Sequence, residues 1–188
     1  MSNTFVRTGS RSFGYNPEQV DSFILLAKEQ FQHPDHDQLD AKTIRAMRFD
    51  LVKGGYSISA VDSATEKLED VFAERELQKF RAELGQLVFQ DLFDELSQML
   101  SSRVNKPKGK RFGRRKWPNR GYNIRQVDSL CSQVAKHIDR VETLSVKEVR
   151  LSAFKSQRGG YAEHQVDAFI DKVVELIQRQ DILQKGSN

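Results

Sequence analysis

The chain of 188 residues has one cysteine, one tryptophan, four prolines and eleven glycines. A single cysteine, Cys131, excludes an internal disulfide framework and fits a reducing compartment. So few prolines and glycines exclude collagen-like and low-complexity classes and leave room for long helices. Long hydrophobic runs are absent as well. The first thirty residues hold no stretch longer than Phe23–Ala27, so neither a signal peptide nor a membrane-spanning helix is expected there. A phosphate loop, a dinucleotide fingerprint and a nucleophile–base constellation are all missing, which points away from catalysis. No metal or cofactor site is expected. His33 and His36, flanked by Asp35 and Asp37, lack a cysteine partner and read as polar loop. Hydrophobic residues at 38% and charged residues at 30% fit a soluble helical protein placed in the cytoplasm.

What the chain does have is one short string, four times. Gly14-Tyr15, four residues, then Val20-Asp21 recurs as Gly55-Tyr56…Val61-Asp62, Gly121-Tyr122…Val127-Asp128 and Gly160-Tyr161…Val166-Asp167. Repeats decide architecture before any local feature does. The string reads as a helix start. The residue after each tyrosine falls at the N-cap: Asn16, Ser57, Asn123 and Ala162. Gln19, Gln126 and Gln165 stand at the capping-box position, and Pro17 at the first helical position. Tyrosine and valine then form the two ends of a hydrophobic staple. On this reading the tyrosines lie outside strands and outside helix interiors.

Apolar periodicity predicts helices over 17–32, 40–48, 124–141 and 163–183, and a short helix from Ser145 with Glu148 as its capping box. A much longer helix is predicted over 58–103, about 65–70 Å if continuous. Gly85 is the place for a break in it. The segments 49–55 and 154–160 read as loops. The order of elements repeats, so we read an internal duplication: 1–103 with the first two strings and the long helix, 104–119 as a basic linker, and 120–188 with the second two strings. The fold class is all-α. Tandem helix–loop–helix repeats are expected to form a bundle or coiled-coil-like pairs, joined by one long helix.

Charge is uneven. Lys106, Lys108, Lys110, Arg111, Arg114, Arg115, Lys116 and Arg120 form a cationic run with no acid among them, and without it the net charge of +4 would be −4. Phe112 and Trp117 interrupt the run. Such a patch suits an anionic membrane surface, with an aromatic side chain inserted. It also suits nucleic-acid phosphates, and a regulator binding nucleic acid through 106–120 is the alternative reading. A solvated linker is the third. The arm 1–13 precedes the first string as the run precedes the third, which implies one role for both.

Phe154-Lys-Ser-Gln-Arg-Gly-Gly-Tyr161…Val166-Asp167-Ala-Phe169-Ile170-Asp171 resembles the N-terminal domain of the DivIVA and GpsB family. The resemblance covers the four string regions and not the basic run or the middle of the long helix. It implies a non-enzymatic scaffold or adaptor at the inner face of the bacterial cell membrane, acting in division or polar growth. Implied partners are division or wall-synthesis proteins, the membrane itself and further copies of the chain. By position, the resemblance assigns partner-peptide binding to Tyr161, Asp167 and Asp171, and to Tyr56, Asp62 and Glu66. It assigns membrane contact to aromatic–cationic loops, here Arg11 and Phe13, and Phe112, Arg114, Arg115, Lys116, Trp117 and Arg120.

Overall fold

The computed structural model describes residues 5–33 and 39–185. The element order is β1 (Phe13–Tyr15), α1 (Pro17–Gln32), α2 (Ala41–Ala46), β2 (Leu51–Lys53), α3 (Ile58–Leu84) and α4 (Gln86–Val104). It continues with β3 (Arg120–Tyr122), α5 (Ile124–Ile138), α6 (Val146–Arg150), β4 (Ser156–Arg158) and α7 (Glu163–Lys185). The all-α class holds, with two small antiparallel sheets added. His36, Asp35 and Asp37 lie outside the described residues.

Two compact units divide the chain at Lys79/Phe80. The expected linker at 104–119 is therefore not a boundary. It belongs to the second unit because Arg111 and Phe112 are buried there. The long helix does break at Gly85, whose φ of 84° is one that residues with a Cβ resist.

The first unit is built as a small sheet carrying α1, α2 and α3 as far as Lys79. Phe13 faces Lys53 and Tyr15 faces Leu51 across β1 and β2. Tyr15 and Tyr56 then exchange backbone hydrogen bonds at 2.9 and 2.8 Å. This corrects the expectation for the tyrosines. Tyr15 and Tyr122 each end a three-residue strand, and Tyr56 and Tyr161 sit in isolated bridges. The helix start survives beside the pairing, since Asn16 and Asn123 still cap α1 and α5. Strands this short have no alternation for a sequence reading to detect.

Pairing two strings back to back also explains their glycines. A Cβ on Gly14 would fall within 3.0 Å of the Tyr56 carbonyl, and one on Gly55 would strike Gly14 in return. Gly121 and Gly160 stand in the same relation to Tyr161 and Tyr122.

The glutamines also differ from expectation. None closes a box on its own helix. Gln19 Oε1 accepts from Asp50 N at 2.8 Å, Gln126 Oε1 from Lys155 N at 2.7 Å and Gln165 Oε1 from Gly113 N at 2.7 Å. Each one clamps the segment that runs alongside its string. The capping box of Ser145 and Glu148 forms as expected, and Asp40 caps α2 through Thr43 N.

The second unit has one continuous core. Leu96, Leu100 and Val104 of α4 meet Val127, Leu130 and Val134 of α5 and Val166, Val173 and Ile177 of α7. The first unit has two smaller clusters, around Phe23, Ile44 and Phe72, and around Val20, Tyr56 and Val61.

Candidate functional site

In both units the tyrosine of one string reaches the aspartate of the other. Tyr56 donates to Asp21, at 3.0 Å to Oδ2, and Tyr15 hydrogen-bonds Asp62. Tyr161 donates to Asp128 Oδ1 at 3.0 Å, and Tyr122 hydrogen-bonds Asp167. The expected sets, Tyr161 with Asp167 and Asp171 and Tyr56 with Asp62 and Glu66, are therefore split. The carboxylates Asp167 and Asp171 do share an exposed face of α7, and Asp62 and Glu66 lie one turn apart on α3, but the tyrosines beside them are Tyr122 and Tyr15.

Burial, then the carboxylate acceptor, raises the ionisation of Tyr15, Tyr56 and Tyr122 above the usual tyrosine range. Tyr161 is the extreme case. Its burial pushes it up to about 12.

Around Asp128 the pair grows into a buried polar cluster. Gly109 N donates to Asp128 Oδ2 at 2.8 Å. The Arg111 guanidinium lies 3.6 Å from Asp128 Oδ1 and donates to the Asp128 carbonyl at 2.8 Å and the Lys106 carbonyl at 3.1 Å. Arg111 N donates to the Tyr161 hydroxyl at 3.3 Å. Arg111 is 7% exposed and Asp128 4%. A charge pair so enclosed stands only because its remaining donors and acceptors are matched. Arg111 is thus withdrawn from any nucleic-acid or membrane contact.

Asp21, the counterpart in the first unit, is exposed, and Tyr56 is its hydrogen-bond partner among the described residues. Sequence reasoning gave Asp21 and Asp128 no role beyond the repeated string and placed Arg111 in the open cationic run. A signal was available: Phe5-Val-Arg7 and Phe112-Gly-Arg114 precede Gly14 and Gly121 at the same spacing. The structure gives them the same bonds. Ser57 N donates to the Val6 carbonyl and Ala162 N to the Gly113 carbonyl, both at 2.8 Å.

The expected membrane-contact set divides in two. Phe112 is corrected: it is 6% exposed, edge-on to Tyr161 and Phe169 at 5.3 Å, and part of the core. Trp117 is 76% exposed, and Arg114, Arg115, Lys116 and Arg120 around it are exposed too. Phe13 is 56% exposed beside exposed Arg11. Among the described residues no helix is long and apolar enough to cross a membrane, and no group of side chains could hold a metal. Cys131 is fully buried, and burial pushes its thiol up to about 11.

Comparison with family models, with curated proteins and with solved structures gives no match for this chain.

Proposed function

We propose that this chain is a non-enzymatic, DivIVA-like scaffold in bacterial cell division or polar growth. It rests against the inner face of the cytoplasmic membrane and docks division or wall-synthesis proteins on its helical units. The observation that carries the reading is the exposed Trp117 within the cationic turn 114–120; in the first unit Arg11 and Phe13 are exposed on the corresponding arm. Cations beside anionic lipid contribute about 1 kcal/mol each near the surface. An inserted indole adds roughly 1.5–3 kcal/mol. That balance places the membrane claim on this turn and leaves the helix faces to proteins.

Trp117 is the sole tryptophan, so its emission tests the reading without a label. Vesicles rich in anionic lipid are expected to shift it to the blue, and zwitterionic vesicles to leave it unchanged. Trp117→Ala is expected to weaken vesicle binding by about tenfold or more. An emission indifferent to anionic vesicles would overturn the membrane reading.

A further inference from the structure

We propose that the cavity at the C-terminal end of α5 binds a small amphipathic carboxylate, with His137 and Arg140 receiving the carboxylate and Phe93 and Leu183 its apolar body. The site lies wholly within the second unit. It needs neither the membrane turn nor a docked protein. Three segments enclose it: α4, the turn after α5 and the last turns of α7. Its volume of about 650 Å³ is that of a small-molecule site. Phe93 also packs against the core, so that wall is held in place.

His137 supplies the observation that asks for a ligand. It is 6% exposed and forms part of the cavity wall. Its Nδ1 accepts from Leu144 N at 3.1 Å, so the proton of the neutral ring sits on Nε2. Nε2 is enclosed and has no hydrogen-bond partner among the described residues. A buried donor left unmatched destabilises a fold, and an acceptor brought to it regains that loss. Arg140, Val141 and Gln184 around the cavity are exposed, so their side chains can turn aside to admit one.

Arg140 gives the acceptor its charge. Val141 N donates to the Lys136 carbonyl at 2.8 Å and Arg140 N to the His137 carbonyl at 3.0 Å, which closes α5 and sets Arg140 at a φ of 58°. Glycine usually holds that position. Here an arginine takes it and brings a cation into the lining. Glu142, also in the lining, is neutralised by Lys136 at 2.7 Å. A ring N–H beside a guanidinium selects an anion over a neutral acceptor. Counted from Tyr15 as His137 and Arg140 are counted from Tyr122, the first unit has Gln30 and His33 in their places. The donor and its cation therefore belong to the second unit.

The probe is phenylbutyrate, titrated into the full chain and followed by calorimetry and by the nitrogen resonances of the histidine rings. One site per chain and a displaced Nε2 resonance of His137 are expected. His137→Asn keeps an acceptor for Leu144 N but lacks the outer donor, and is expected to weaken binding about tenfold. Arg140→Asn removes the charge with a residue that tolerates the same φ. It is expected to weaken binding several-fold and to leave the urea midpoint in place. Phenylbutyramide, which carries no charge, is expected to bind about tenfold less well than the acid. Arg114→Gln, in the membrane turn, is expected to change nothing. Binding that does not saturate, that leaves the His137 resonance where it was, or that is indifferent to Arg140→Asn and to loss of the probe's charge would overturn the proposal. A chain ending at Lys185 that binds the probe at least tenfold more tightly than the full chain would also overturn it, by making residues 186–188 the occupant.

Discussion

Gly14, Gly55, Gly121 and Gly160 are where two backbones cross, so their missing Cβ is a steric requirement. Gly121→Ala would set a methyl against the Tyr161 carbonyl, a backbone atom that cannot step aside. A loss of about 1–3 kcal/mol or more is expected in urea unfolding. Gly85→Ala meets nothing within 4 Å, but its φ of 84° and ψ of 158° are a backbone conformation kept almost wholly to glycine, so about 1–3 kcal/mol is expected. Tyr161 adds a dependence on pH. Its folded ionisation stands at about 12 against a usual value of 10.0. The folded state therefore holds a proton that the unfolded chain has released. The contribution is complete below pH 10 and is lost as pH rises towards 12. Tyr161→Phe is expected to flatten the alkaline decline of stability between those limits. Equal slopes for the two proteins would refute the assignment.

The helices show what periodicity can reach. Apolar spacing alone places α1, α5 and α7 within a few residues of their observed ends, and Val166, Phe169, Val173 and Ile177 are buried as their period requires. Gly85 interrupts the long helix because one residue carries that information by itself. The strands were illegible because three residues cannot show alternation. Crossing the tyrosines was illegible for a deeper reason. Tyr161 to Asp128 and Tyr161 to Asp167 are equally good hydrogen bonds on paper, and only the antiparallel pairing at Gly121 and Gly160 chooses between them. Phe112 misled because an aromatic among cations suits a membrane loop as well as a core anchor. Its counterpart Phe5, 5.5 Å from Tyr56, held the clue. Phe112→Ala is expected to cost about 3–5 kcal/mol. A polar loop residue would cost almost nothing.

Across the whole molecule, the buried apolar core is divided unevenly. The second unit has a continuous core reinforced by α4, whereas the first relies on two separate clusters. Cys131 reports on the second unit. Fully buried and with its thiol pushed up to about 11, it is expected to resist alkylation at pH 8 in native buffer and to react once urea opens the second unit. Reaction at the rate of a free thiol in native buffer would contradict that packing. Both units depend on strings that meet crosswise, and a pair of double-mutant cycles in the first unit tests this most directly. Tyr56→Phe combined with Asp21→Ala is expected to show a coupling of about 1–2 kcal/mol in unfolding free energy. Tyr56→Phe combined with Asp62→Ala is expected to be additive within about 0.5 kcal/mol. Coupling that follows Asp62 instead of Asp21 would contradict the crossed pairing on which both units are built.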